Sequence, residues 1–202
     1  MNVPHYPMNT FEVEIKFRAG DVSIAELERQ LQQRFGGSEF GKPVTESDAF
    51  FQHPCRNFAH TDECLRLRQR SFSDGSSEHS LTYKGPKIDT STKTRQEIEI
   101  PITEPESLES LLAALGFCKV ASVRKFRRRM TLALADRQVS IVFDTLPDLP
   151  EQARQFIEME TIATAEEIEE CQSLILGIAR QLDLHESIRE SYLTLVQDYR
   201  PQ

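Results

Sequence analysis

Thr10-Phe11-Glu12-Val13-Glu14-Ile15-Lys16-Phe17-Arg18 alternates strictly, with Phe11, Val13, Ile15 and Phe17 on one face and Glu12, Glu14, Lys16 and Arg18 on the other. A period of two is the pattern of a half-buried β-strand. The polar face of this strand carries only full charges, and that feature recurs. Glu97/Glu99 and Glu158/Glu160 are further carboxylate pairs two residues apart on expected strands, and Asp144 closes a strand that is otherwise apolar at Ile141, Val142 and Phe143. Arg66/Arg68 and Lys125/Arg127 repeat the rule with bases. A solvated sheet face usually mixes signs and includes Ser, Thr and Gln. Same-sign pairs on strand after strand instead suit a sheet that closes, with its charged face turned inward.

Working outward, residues 23–35 read as a helix, with Ser23 as N-cap, Glu26 at the third position and Gly36-Gly37 as the stop. Strands are expected at 47–52, 65–71 and 79–84, the last two joined by the Ser/Gly-rich turn 73–77 into a hairpin. A polar loop, 87–92, leads to a strand at 93–100, and a short helix at 104–115 is closed by Gly116. Strands follow at 117–134, 138–144 and 154–162, then helices at 165–182 and 187–197. Residues 1–9, with Pro4 and Pro7, read as a disordered lead-in, and 10–200 as one domain including the C-terminal helices.

Composition narrows the function. The 202-residue chain is 39% hydrophobic and 28% charged, ordinary for a globular protein, and no apolar run is long enough to span a bilayer. With no signal-like N-terminus, it is expected to be cytoplasmic. A net charge of −8 argues against a nucleic-acid partner. The bases are nevertheless concentrated, at Arg66, Arg68 and Arg70 and from Arg124 to Arg129, which suits a compact anion better than a long one. Cys55, Cys64, Cys118 and Cys171 lack C-x-x-C spacing and read as reduced thiols. His53, Cys55, His60 and Cys64 fit no common zinc module.

If the charged faces line a closed barrel, they form a site. Hard divalent cations such as Mg²⁺ or Mn²⁺ take oxygen ligands, which converging carboxylates supply. A triphosphate needs a row of Arg and Lys, the former able to bind it in bidentate fashion. No Gly-rich P-loop and no nucleophile with a partnered His stands out, so catalysis would rest on positioning, metal and charge.

Glu12-Val13-Glu14-Ile15-Lys16 resembles the E-x-E-x-K signature of the CYTH, or triphosphate tunnel metalloenzyme, superfamily, which includes class IV adenylate cyclases, thiamine triphosphatases and inorganic triphosphatases. The likeness continues in order through Leu65-Arg66-Leu67-Arg68, Thr82-Tyr83-Lys84-Gly85-Pro86, Glu97-Ile98-Glu99, Lys125-Phe126-Arg127, Phe143-Asp144 and Phe156-Ile157-Glu158-Met159-Glu160, with Ser191-Tyr192 similar to the family's closing helix. Segments 53–56 and 84–97 look most like the subgroup of class IV adenylate cyclases.

The resemblance implies an α+β fold, an eight-stranded antiparallel barrel with flanking helices whose interior is the site. It implies metal binding by Glu12, Glu14, Asp144, Glu158 and Glu160, and a triphosphate grip by Lys16, Arg66, Arg68, Lys84, Lys125 and Arg127, of which Lys16, Lys84, Lys125 and Arg127 would act in catalysis. Glu97 and Glu99 become tunnel carboxylates of open role, and Lys93 and Arg95 lie on a loop able to close over substrate. The function implied is a Mg²⁺- or Mn²⁺-dependent enzyme on a triphosphate, first a class IV-type adenylate cyclase making cyclic AMP and pyrophosphate from ATP. The alternatives are a thiamine or inorganic triphosphatase, and a non-catalytic module that binds nucleotide or polyphosphate. A purely structural charged sheet is the remaining rival. Neither nucleic acid nor membrane is an expected partner. The C-terminal helices either pack on the barrel or pair with a second copy in a homodimer.

Overall fold

The computed structural model describes residues 10–37, 39–88, 92–134 and 137–199. The expected lead-in over residues 1–9 and the middle of the loop at 87–92 lie outside these. Eight strands form a closed antiparallel barrel: β1 (Phe11–Arg18), β2 (Val44–Gln52), β3 (Cys64–Ser71), β4 (Ser77–Lys84), β5 (Arg95–Ile102), β6 (Cys118–Leu134), β7 (Arg137–Thr145) and β8 (Gln155–Ala163). Around the barrel the order is β1-β5-β4-β3-β2-β6-β7-β8, and β8 returns to β1 along a full register from Phe11↔Ala163 to Arg18↔Phe156. The β1–β5 seam is far shorter, with Phe11↔Gln96 and Glu12↔Arg95 as its partners.

Alternation decides which side is the core. The outward residues Val13, Ile15, Phe17, Ile141, Phe143, Ile157 and Met159 are buried under two helices, α1 (Ile24–Phe35) and the C-terminal α4 (Ile168–Gln181). Each such side chain taken from water stabilises the fold by about 1.5–3 kcal/mol. The hydrophobic core therefore lies outside the barrel, and the polar faces are left to line its interior.

Local signals place α1 as the sequence predicts. The Ser23 side chain accepts from the Glu26 N–H at 3.2 Å, and Gly36 ends the helix at φ 66°, a left-handed conformation suited to glycine. At Gly37 a Cβ would sit 2.8 Å from the Leu132 side chain, so the chain there touches β6 as only glycine can.

A second apolar cluster covers β2 and β3. Ala49, Phe51, Leu65 and Leu67 pack with Phe58 of a one-turn helix, α2 (Phe58–Thr61), and with Leu112 of α3 (Pro105–Ala114). The sequence did not signal α2, which four residues hold through Asn57 capping the Ala59 and His60 N–H groups. No helix among the described residues is long and apolar enough to cross a membrane.

Three of the boundaries that differ from expectation bear on the site. The strand expected at 47–52 starts at Val44, three residues earlier. The strand expected from Lys93 starts at Arg95, because Lys93 donates its N–H to the Glu14 carbonyl at 2.9 Å and stays in the loop. The last helix, expected from Ser187, is α5 (Tyr192–Tyr199). Ser187 instead bridges Phe17, and the Ile188 N–H donates to the Lys16 carbonyl at 2.8 Å, so the end of β1 captures this stretch as extended chain. The helix begins where Ser191 can cap it, its Oγ accepting from the Thr194 N–H at 3.0 Å.

Candidate active site: the charged tunnel

The barrel encloses a cavity of about 950 Å³. It is lined by Glu12, Glu14, Lys16, Arg66, Arg68, Lys84, Lys125, Arg127, Glu158 and Glu160, all of them singled out in the sequence. Glu97 and Glu99 line it too, as expected, and so do Lys93 and Arg95. Asp144 is the exception. It is fully buried but is not part of the cavity wall, because the Arg127 fork takes both its oxygens at 2.8 and 2.5 Å and the Tyr192 hydroxyl donates to Oδ2 at 2.9 Å.

The register explains why these side chains meet. Glu14 lies opposite Glu160 and Lys16 opposite Glu158 across the β1–β8 seam, and cross-strand partners project to the same side. Arg127 lies opposite Asp144 on β6–β7, and Asp48 opposite Arg68 on β2–β3. Glu46 and Asp48, not foreseen as site residues, are the acid pair of β2.

Every acid faces a base, as buried charges must. Lys84 Nζ stands 2.5 Å from Glu12 and 2.6 Å from Glu97. Lys93 reaches Glu14 at 2.8 Å. Arg68 forks onto Asp48 at 2.7 and 2.8 Å and lies 3.0 Å from Glu46, while Lys125 spans Glu46 and Asp48 at 3.1 and 3.3 Å. Arg127 also meets Glu158 at 2.6 Å, and Arg129 meets Glu160 at 2.8 Å. Lys16, 1% exposed, donates to the Glu190 carbonyl at 2.6 Å.

The fields are uneven. Burial raises the Glu12 carboxyl to about 7, with Glu97 adding to it against the pull of Lys84. Glu158 is raised by burial and by Glu14. For Glu14, burial is outweighed by Lys93, Lys84 and Lys16, which hold it well below the carboxylate range. Burial, then Lys93, pulls the Lys16 ammonium well below the lysine range. Burial and Asp144 push the Tyr192 phenol far up, so it remains a donor.

Two features bear on ligands. Arg66 Nε and Arg95 Nε are buried donors without a hydrogen-bond partner, and both side chains line the cavity. Buried orphan donors are uncommon and mark capacity for an acceptor. The acids offer oxygen only, a donor set that suits Mg²⁺ or Mn²⁺ and not a soft metal. As they stand, no group of three Asp, Glu, His or Cys side chains among the described residues could hold an ion. The carboxylates of the β1–β8 seam offer such an ion suitable oxygen chemistry, each of them paired with a base in this structure. The loop cluster set aside as a zinc site is ordinary structure: His53 Nδ1 accepts from the Cys55 and Arg56 N–H groups at 3.0 Å, and all four cysteines are free thiols.

Comparison with known proteins agrees with this geometry. The CYTH domain family model matches residues 10–192. A Methanocaldococcus jannaschii protein, named as a candidate adenylate cyclase, is 34% identical over 187 residues, covering 91% of this chain and 97% of that one. Among solved structures, a Pyrococcus horikoshii protein is 38% identical with a TM-score of 0.79, covering 94% of this chain and 99% of its own. A candidate adenylate cyclase of Vibrio parahaemolyticus shares the fold at 21% identity and a TM-score of 0.71, covering 93% and 98%.

Proposed function

Because this chain belongs to the CYTH domain family, we propose that it is a divalent-metal-dependent enzyme acting on a triphosphate in its tunnel, and that it is a class IV-type adenylate cyclase converting ATP to cyclic AMP and pyrophosphate. The observation that carries the reading is the tunnel wall itself, where the buried Nε donors of Arg66 and Arg95, without hydrogen-bond partners, belong to side chains that line the same cavity as the carboxylates of the β1–β8 seam. A structural sheet has no reason to bury both. The choice of ATP leans on the name of the 34%-identical relative.

In this reading Arg66, Arg68, Lys84, Lys125, Arg127 and Lys16 grip the phosphates, the arginines in bidentate fashion. Glu12, Glu14, Glu158 and Glu160 would hold Mg²⁺ or Mn²⁺, with Asp144 reachable only once Arg127 turns away. Such an ion supplies charge neutralisation at the phosphate oxygens when bound. The nucleophile belongs to the substrate: the ribose 3′-hydroxyl loses its proton and its oxygen bonds to the α-phosphorus, the bond from that phosphorus to the α–β bridging oxygen breaks, and pyrophosphate leaves with that oxygen, the proton ending on pyrophosphate or in water. The wall orients the chain of phosphates in line and stabilises the charge that builds on the leaving group.

The test is a product assay of the purified protein with Mn²⁺ or Mg²⁺, offering ATP, thiamine triphosphate and inorganic triphosphate separately, with Glu14→Ala as control. Cyclic AMP and pyrophosphate from ATP, lost in the variant, is the expected result. Orthophosphate from any of the three would make it a triphosphatase. Tight triphosphate binding with no turnover would leave a binding module.

A further inference from the structure

Tyr192 stands apart from the charged residues around it. It is the first residue of α5, far in sequence from the strands whose side chains it touches. Its ring lies 4.0 Å from Lys16 Nζ and 5.4 Å from Lys125 Nζ, both of them buried ammonium groups. Its hydroxyl donates to Asp144 Oδ2 at 2.9 Å, the same oxygen that holds Arg127 Nη2 at 2.5 Å. The ring also packs edge-on against Phe156, with centroids 5.1 Å apart, which helps fix its plane. One side chain thus touches two of the cations assigned to the triphosphate grip and the carboxylate that orients a third.

We propose that Tyr192 is a positioning residue for the triphosphate, its π-face seating Lys16 and Lys125 and its hydroxyl fixing Arg127 through Asp144. The physical need is specific. Lys16 has the Glu190 carbonyl at 2.6 Å and, among the described residues, no carboxylate in a salt bridge with it, so its nearest anchors are a dipole and a ring, with Glu158 and Glu14 acting from farther away. A carboxylate partner would hold the ammonium more strongly but would compete with a phosphate for it. A ring face attracts the cation through its quadrupole while leaving the N–H groups on the open side available to an anion. The Ile188–Lys16 hydrogen bond and the Ser191 cap bring Tyr192 to this point, so the C-terminal segment completes the site.

This inference rests on the triphosphate reading, and the test separates the two. Inorganic tripolyphosphate is titrated calorimetrically into the full chain in the presence of EDTA, using wild type, Tyr192→Phe and Tyr192→Leu, with melting curves confirming that each is folded at the working temperature. Tyr192→Leu is expected to bind about tenfold more weakly, because it removes two desolvated cation–π contacts. Tyr192→Phe keeps the ring and should stay within about threefold of wild type, the deficit reflecting one hydrogen bond. In a Lys16→Met background the loss caused by Tyr192→Leu should shrink, a coupling that a merely structural residue would not produce. Wild-type affinity in both folded variants overturns the role of Tyr192 and leaves the triphosphate reading standing. Should wild type itself bind no tripolyphosphate, both fall together.

Discussion

Where β2, β3 and β6 meet, Arg68 forks onto Asp48 and Lys125 spans Asp48 and Glu46, and the surrounding cations, Arg68 first, outweigh burial and hold both carboxylates far below their ordinary range. Where β1, β5 and β8 meet, acids crowd acids: Glu12 sits beside Glu97 with its carboxyl raised to about 7 by burial, and Glu158 is raised by burial and by Glu14. The residue types are the same on both sides of the tunnel. The first region is a closed ion network in which each carboxylate meets at least two cations. The second also pairs its acids with bases but sets acid against acid, Glu12 with Glu97 and Glu158 with Glu14, a repulsion that an added divalent cation would relieve. The first part ties its bases to carboxylates of their own, and the second sets acid beside acid.

Substitutions should pull the two parts apart. Asp48→Ala leaves Arg68 and Lys125 buried without their shared carboxylate and should lower stability by about 3–5 kcal/mol in urea denaturation. Glu12→Gln removes one of two repelling acids. It should change stability by less than about 1 kcal/mol near pH 5 and raise it progressively as pH climbs toward 7. The same variant should weaken Mn²⁺ binding at least tenfold, or about 1.4 kcal/mol. If Glu12→Gln proves as destabilising as Asp48→Ala, the distinction between the two regions is wrong.

The pH response should divide along the same line. Glu12 has a folded value of about 7 against an ordinary 4.5, so between those values the native chain keeps a proton that the unfolded chain has released. Its contribution to stability therefore falls as pH rises through that window, while Mn²⁺ binding, which needs the ionised form, strengthens up to about pH 7 and then levels. Titrations at pH 6 and pH 8 should differ by up to about tenfold in affinity, tighter at pH 8. Asp48 and Glu46 are depressed in the fold, so their contribution is present above the ordinary carboxylate range and is lost only as pH falls below it. The smallest effect belongs to Arg129. Its pair with Glu160 is 47% exposed on the arginine side, and Arg129→Ala should cost less than about 1 kcal/mol by thermal melting.

Much of this was legible in the sequence because the barrel writes its faces as a period of two. Glu12/Glu14, Arg66/Arg68, Lys125/Arg127 and Glu158/Glu160 each needed only their own strand to be read, and the strand register then brought them together. Glu46 and Asp48 carry the same signal, but Ser47 and Asp48 are weak strand formers next to a glycine and proline stretch, and with the strand taken to start at Ser47 the pair was split. Lys93 could not be foreseen as a buried residue. A lysine in a polar loop is normally solvated, and only the hydrogen bond from its N–H to the Glu14 carbonyl pulls it into the wall. Tyr192 is a harder case, since its neighbours Lys16, Lys125 and Asp144 come from three other strands. Asp144, whose position in sequence resembles a metal ligand, has its oxygens engaged by Arg127 and Tyr192 in this structure.

Because acids and bases in the tunnel neutralise one another, a triphosphate that takes the bases frees carboxylates for a cation, and the cation in turn frees bases. The most direct test of the account is a calorimetric titration of Mn²⁺ into the protein with and without saturating tripolyphosphate, on wild type and Glu14→Gln. The expected result is Mn²⁺ binding at least tenfold tighter with tripolyphosphate present, about 1.4 kcal/mol of coupling, and largely lost in the variant. Mn²⁺ binding that ignores both the anion and the loss of Glu14 would contradict it.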